Sequence, residues 1–185
     1  TTDDEEVYEY ETPIKHTWQQ VTTFLPLFCH NWKNMWIGTK YAIGVNSGTD
    51  AIKLSLKAIG IKPGDEIITA ANTFIATVGA IAEIGAKPVF VDCDDTFCMD
   101  VNKIEDVITE KTKAILPVHF TGYMVDMKKL MIIGNNYNLP IVEDACQGIL
   151  ASQNNKNAGT WGETGCFSLH PLKNLNVWSD GGIIV

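Results

Sequence analysis

From residue 41 onward, short aliphatic and β-branched runs alternate with segments of helical period, and this alternation restricts the chain to very few folds. Residues 41–45, 66–70, 88–92, 113–118 and 140–144 read as strands. Between them, residues 49–59, 73–84, 102–108 and 126–136 read as helices, the first burying Ala51, Ile52, Leu54, Ser55, Leu56 and Ala58. Gly60 and Gly85 stop the first two helices, and Pro63, Gly64 and Asp65 make the turn into the second strand. The strand runs lack a polar–apolar alternation, so both their faces are covered. With helices between them, that predicts an α/β fold, a three-layer αβα sandwich around a mainly parallel sheet. Ligands in such sheets gather outside the carboxyl ends of the strands. The segment Asn46-Ser47-Gly48-Thr49, the segment Asn72-Thr73-Phe74, and the single residues His119 and Asp144 all fall at such ends.

The remaining segments are less regular. One helix is expected over 18–30, interrupted at Pro26, residues 151–165 read as a loop or short hairpin, and 182–185 as part of a strand. Residues 1–12 carry six acids (Asp3, Asp4, Glu5, Glu6, Glu9, Glu11) and no base. Of the 22 acids, 22 − 6 = 16 remain against 14 bases, so a nearly neutral globule follows an acidic leader that reads as a solvated terminus. All 14 bases are lysines, which removes the planar two-pronged clamp that arginine offers to carboxylates and phosphates. No stretch is both basic and aromatic, so a nucleic-acid partner is not expected. No apolar run approaches the length of a membrane span and no signal peptide opens the chain, so neither a membrane nor secretion is expected. Cysteines 29, 93, 98, 146 and 166 lack metal-ligand spacing. They read as free thiols of a reducing cytoplasm, with no metal.

Chemistry concentrates at three places. The Ser47-Gly48-Thr49-Asp50 turn joins a strand to a helix start, where free amides and the positive helix end suit a phosphate or serve as a plain helix cap. Phe74, after the next strand, can stack on a flat ring or pack in the core. Asp144 closes an apolar strand, where a carboxylate is costly unless paired, either with a cationic ring nitrogen or as the cap of the next turn. Glu143 should point to the opposite side of the same strand, and Gln147 lies within reach of a ring oxygen or of solvent. Ser168 and Lys173 frame a loop through Pro171 in which Phe167, Leu169, Leu172 and Leu175 argue for a sheltered lysine. A lysine amine can hold an aldehyde as a Schiff base, and a carboxylate can keep a pyridine nitrogen protonated, which points to pyridoxal 5'-phosphate. His119 and His170 read as structural.

Laid end to end, GVNSGTDAIKLSLKAIGIKPGDEIITAANTFIATVGAI, GAKPVFVD, TKAILPVHFTG, LPIVEDACQG and GCFSLHPLKNLNVWSDGG resemble the DegT/DnrJ/EryC1/StrS sugar aminotransferases of pyridoxal-phosphate fold type I. The wording FSLHPLKNLNVW is most similar to enzymes that aminate keto groups of dTDP-linked 6-deoxyhexoses. The resemblance divides the chain into a poorly matching segment 1–39 and a cofactor-binding large domain over 40–185, incomplete because members are about twice this length and carry a C-terminal small domain. It implies that Lys173 and Asp144 are catalytic, Lys173 as the cofactor-bearing base and Asp144 as the acid facing the ring nitrogen. It further implies that Gly48, Thr49, Asp50 and Ser168 surround the phosphate, that Phe74 stacks on the ring, and that Gln147 lies near its hydroxyl. Dehydratases of the family carry histidine at the lysine position, so Lys173 implies transamination. A nucleotide-linked keto sugar, an amino-acid donor (glutamate) and a homodimer are the implied partners. The alternative is a non-catalytic binding or assembly module that keeps the fold.

Overall fold

The computed structural model describes residues 37–185; the acidic leader and the helix expected over 18–30 lie outside the described residues. The elements run β1 (Ile43–Val45), α1 (Gly48–Ala58), β2 (Glu66–Ala70), α2 (Ile75–Glu83), β3 (Lys87–Val91), β4 (Thr112–Leu116), α3 (Met127–Tyr137), β5 (Val142–Asp144), β6 (Ser152–Gln153), β7 (Lys156–Asn157), β8 (Thr164–Ser168) and β9 (Gly182–Ile184). One group of strands pairs in the order β1-β9-β8-β5 and another in the order β3-β2-β4. Parallel bridges from Ile115 to Ile141 and from Val118 to Asp144 join β4 to β5, giving a continuous sheet β1-β9-β8-β5-β4-β2-β3. The β2–β3, β2–β4 and β5–β8 ladders are parallel, whereas β9 runs antiparallel to both β1 and β8.

Each face of the sheet is covered by helix, as the absence of alternation predicts. Ile67, Ala114, Leu116, Val142 and Cys166 pack with Ala51, Ile52 and Leu56 of α1 and Ala80 and Ile81 of α2. Ile68, Ile115, Ile141, Phe167 and Ile183 pack with Met127 and Leu130 of α3 on the other side. Burying each large aliphatic side chain contributes about 1.5–3 kcal/mol before entropy is charged. All of β2 is buried, the condition of a central parallel strand, whereas the edge strand β3 leaves Lys87 and Phe90 exposed.

Local chemistry sets the helix ends. Ser47 is extended and its hydroxyl accepts the Asp50 amide at 3.1 Å, so α1 begins at Gly48. Asp126 caps α3 through the Lys129 amide, and Asn138 ends that helix in the left-handed region. One expectation needs correction. The helix predicted over 102–108 is two 3₁₀ turns, Val101–Lys103 and Glu105–Val107, because the Asp100 side chain captures the Asn102 amide and the next bond closes three residues on. Strand β8 has no β-branched run to signal it, its sequence being TGCFS, and with β9 antiparallel the sheet is mainly parallel, as expected. The segment 151–165 contains the β6–β7 hairpin. Among the described residues no helix is long and apolar enough to cross a membrane, and no group of His, Cys, Asp or Glu could hold a metal ion.

Candidate functional site

The antiparallel course of β9 brings its first residue to the same edge of the sheet as the carboxyl ends of β1 and β8. Gly182 pairs there with Val45 and Ser168. The turn into α1 sits directly on it: a β-carbon at Gly182 would lie 2.2 Å from the Ser47 carbonyl oxygen. A β-carbon at Gly48 would lie 2.7 Å from the Ser168 β-carbon and 2.8 Å from Cys146 Sγ. The first turn of α1 is therefore seated against β8 and the segment after β5, and only glycine permits that approach. Among the described residues the Gly48 and Thr49 amides meet no acceptor, so the helix start keeps two donors beside Ser168. Asp50 already has partners of its own. Its amide is taken by Ser47, and one carboxylate oxygen pairs with Lys53 at 2.7 Å.

A cleft of about 220 Å³ opens at this edge, lined by Thr121, Ala145, Cys146, Gln147, Ser168 and Lys173, with Phe167 and Leu175 behind. Lys173 is reached by a turn in which its amide donates to the His170 carbonyl at 2.8 Å, while the His170 ring accepts the Leu172 amide. His170 is thus a structural residue of the loop. The apolar neighbours of Lys173 divide: Phe167 and Leu169 are buried, but Leu172 is 87% exposed, so the loop shelters the lysine from one side only. The Lys173 ammonium stands 6.0 Å from the centroid of the Phe74 ring, at the outer limit of a cation–π contact. That ring is 62% exposed and does not pack in the core. Gln147 accepts the Thr121 amide through Oε1 at 2.9 Å, which leaves its amide hydrogens as donors. Ser168 Oγ accepts the His170 amide at 3.3 Å, and its hydroxyl hydrogen remains available.

Asp144 immediately precedes the cleft-lining run and is 4% exposed. Its Oδ2 accepts the Thr77 hydroxyl at 2.7 Å and its Oδ1 the Cys146 amide at 3.1 Å. A carboxylate offers about four acceptor sites. Among the described residues Asp144 fills two of them and is buried with two open. Glu143, on the other face of β5 as its place in the strand predicts, is different. It accepts His119 Nε2 at 2.9 Å and the amides of Gly159, Trp161 and Gly162 at 2.8, 2.5 and 2.8 Å. Four donors saturate it, and His119, whose Nδ1 accepts the Val125 amide, is engaged in structure.

Cys146 lines the cleft together with Lys173, and its thiol senses the charges nearby. Burial first, and then the Asp144 charge, push it well above its ordinary range, while the Lys173 charge draws it back. The charges of both groups therefore reach this one thiol. The fit to a flat, cationic, phosphorylated cofactor rests on these features: an under-filled buried carboxylate, an amine above an exposed aromatic ring, and two unpaired amides beside a serine hydroxyl. Thr77 was not among the residues singled out from sequence. Its only signal is its place one turn into a helix that starts at a strand's carboxyl end, four residues after Thr73.

Similarity to known proteins agrees with this geometry. A protein of Geobacillus stearothermophilus named pleiotropic regulatory protein is 49% identical over 147 residues, 79% of this chain and 40% of its own length. The UDP-N-acetyl-3-dehydro-alpha-D-glucosamine 3-aminotransferase of Acidithiobacillus ferrooxidans is 46% identical over 149 residues, 80% of this chain and 40% of its own length. The crystal structure of NtdA from Bacillus subtilis with bound cofactor PMP superimposes with a TM-score of 0.81 at 36% identity, covering 93% of this chain and 41% of that one. The chain thus spans about 40% of the length of the curated relatives it matches. The family model of the DegT/DnrJ/EryC1/StrS aminotransferases matches residues 4–185, reaching well ahead of residue 40, where the recognisable motifs begin. The chain belongs to the DegT/DnrJ/EryC1/StrS aminotransferase family.

Proposed function

We propose that this chain is the cofactor-binding portion of a cytoplasmic pyridoxal-phosphate aminotransferase that moves an amino group from an amino acid, glutamate first among donors, to a nucleotide-linked keto sugar. The observation that carries the proposal is Lys173 lining a cleft whose wall, at Ala145 and Cys146, directly follows the buried and half-filled carboxylate of Asp144. When bound, the cofactor supplies a carbonyl that takes up an amine and a ring that accepts the electron pair left on the adjoining carbon. Asp144 offers its open acceptor sites to the ring N–H and keeps that proton in place. Lys173 Nζ holds the cofactor covalently and, when released, carries a proton as a base. Phe74 covers one ring face, and Gln147 donates from its amide to the ring oxygen. The Gly48 and Thr49 amides with the Thr49 and Ser168 hydroxyls take the phosphate at the positive end of α1. Asp50 enters this arrangement as the residue whose ion pair with Lys53 steadies the first turn. The nucleotide-sugar substrate follows from the named activity of the Acidithiobacillus relative. Free thiols at Cys93, Cys98, Cys146 and Cys166 suit a reducing compartment. Leu172 and Trp178, both exposed, favour burial against a second copy in a homodimer.

The test is titration of the purified chain with pyridoxal phosphate, followed by borohydride reduction and peptide mapping. A visible band and a label on Lys173 are expected, with both lost in Lys173→Ala. A wild-type chain that forms no band, or labels other lysines instead, overturns the proposal. The second reading, a non-catalytic module, draws on the regulatory name of the Geobacillus relative. It gains only if the loaded chain undergoes no half-reaction with any amino acid.

A further inference from the structure

Asp144 does not stand in its pocket unaided. Thr77, on the inner side of the first turn of α2 and 1% exposed, donates its hydroxyl to Asp144 Oδ2 across 67 residues of sequence. The hydroxyls of Thr73 and Thr77 are 2.7 Å apart. As a carboxylate Asp144 has no proton to give, so the one hydroxyl hydrogen of Thr77 must go to it, and Thr77 must then accept from Thr73. The direction of the chain Thr73→Thr77→Asp144 is therefore fixed. The Cys146 amide holds the other carboxylate oxygen at 3.1 Å, so the plane of the carboxylate is set at both ends. The same helix start carries Phe74, whose carbonyl accepts the Thr77 amide at 3.0 Å. One short segment thus carries the ring that the Lys173 ammonium stands over and the hydroxyl that holds the Asp144 carboxylate.

We infer that Thr77 is a positioning residue for the reaction: with Thr73 behind it, its hydroxyl holds the Asp144 carboxylate in the orientation that keeps a cationic ring nitrogen protonated. The inference rests on the cofactor reading above and adds a residue that touches neither cofactor nor substrate. Thr77 is in a place where valine would preserve shape and core packing, since α2 buries Thr77 beside Ala80 and Ile81. A hydroxyl at this position, in a helix turn packed on an apolar layer, is explained by its acceptor.

The experiment compares wild type, Thr77→Val, Thr77→Ser and Thr73→Val in the full chain, reading three quantities. These are the dissociation constant for pyridoxal phosphate, the pH midpoint of the visible cofactor band, and the melting temperature without cofactor. Thr77→Val should weaken cofactor binding about tenfold, the loss of one hydrogen bond to a charged group. It should also raise the band midpoint by about half a pH unit or more, because a ring nitrogen less firmly charged withdraws fewer electrons from the cofactor's reactive end. Thr77→Ser keeps the donor, so its midpoint should stay with wild type even if the lost methyl lowers the melting temperature. Thr73→Val should shift the midpoint the same way by less. A wild-type band with an unmoved midpoint in Thr77→Val overturns this inference alone, and so does a Thr77→Ser midpoint displaced as far as that of Thr77→Val. A wild type that forms no band overturns it together with the cofactor reading.

Discussion

Gly182→Ala is the sharpest test of how the site is built, because it adds one carbon and no charge. That carbon would lie 2.2 Å from the Ser47 carbonyl oxygen, 2.4 Å from its carbon and 2.9 Å from the Gly48 nitrogen. All three are backbone atoms, so no side-chain rotation relieves the clash. Reaching a tolerable contact of about 3.2 Å requires a displacement of 3.2 − 2.2, about 1 Å. Neither side yields readily. Gly182 is paired on both flanks, to Val45 and to Ser168. The Ser47 peptide is held by the Asp50 amide on its side chain and the Ala51 amide on its carbonyl. Overpacking of this kind costs about 1–3 kcal/mol. For a chain of this size that lowers the melting temperature by about 2–12 °C. The displacement also turns the Gly48 amide away from Ser168, so cofactor affinity should fall about tenfold, the contribution of one charge-assisted hydrogen bond. Melting followed by circular dichroism without cofactor separates the first effect from the second, which a cofactor titration measures. Gly79→Ala is the control: it lies inside α2 with no atom within 4 Å of the new carbon, and should stabilise by about 0.5–1 kcal/mol. A Gly182→Ala protein that melts within a degree of wild type and binds cofactor equally well refutes the close seating of α1 on β9.

Glu143→Ala should lower stability by about 3–5 kcal/mol, since it strands His119 Nε2 and the Gly159, Trp161 and Gly162 amides in the interior. A urea midpoint equal to wild type would contradict that accounting. Alkaline pH should destabilise the fold through Cys146 and Cys166, whose thiols burial pushes above the ordinary value of 9.0. Raised values mean that the folded chain keeps protons the unfolded chain releases, so the stability they contribute is complete below pH 9 and lost above it. The slope approaches about 1.4 kcal/mol per pH unit for each thiol. Urea midpoints at pH 8 and pH 10 should therefore converge in Cys166→Ala relative to wild type, and an unchanged gap would rule the thiol out.

Much of this architecture is legible in the sequence because central parallel strands are buried on both faces and read as unbroken apolar runs. Strand β2 has the bounds expected of it, and α1 and α3 start where Ser47 and Asp126 can cap them. What escapes is set by distant partners. Strand β8 begins inside the segment read as a loop or hairpin, and a β-carbon at its Gly165 would strike Gly159 at 2.2 Å, so that glycine is required by a crossing. The direction of β9 depends on the two strands that it joins. At the site, Asp144 and Lys173 are conspicuous because a charge beside apolar residues is costly, whereas Thr77 is silent until its acceptor is known. Asp50, named through the resemblance alone, has its ion pair with Lys53 three residues on, a local pairing at helical spacing. Leu172 has the composition of a core residue and stands in solvent.

The two acids that end β5 show how one strand separates support from chemistry. Glu143 and Asp144 are adjacent, both buried, and both carboxylates, so burial alone does not distinguish them. Their donors do. Glu143 receives four, each from a loop that has to be fastened to the α3 side of the sheet, and no acceptor site is left. Asp144 receives two, one for each oxygen, from the segment after β5 and from α2. A buried anion with half its acceptor sites open is unfavourable unless a cation completes it. On this side of the sheet the incompletely satisfied residue lies at the edge where the cleft, the lysine and the free helix amides meet. On the cofactor reading proposed above, the open side of Asp144 would meet a positively charged ring, while Glu143, saturated by its four donors, fastens the strand from behind.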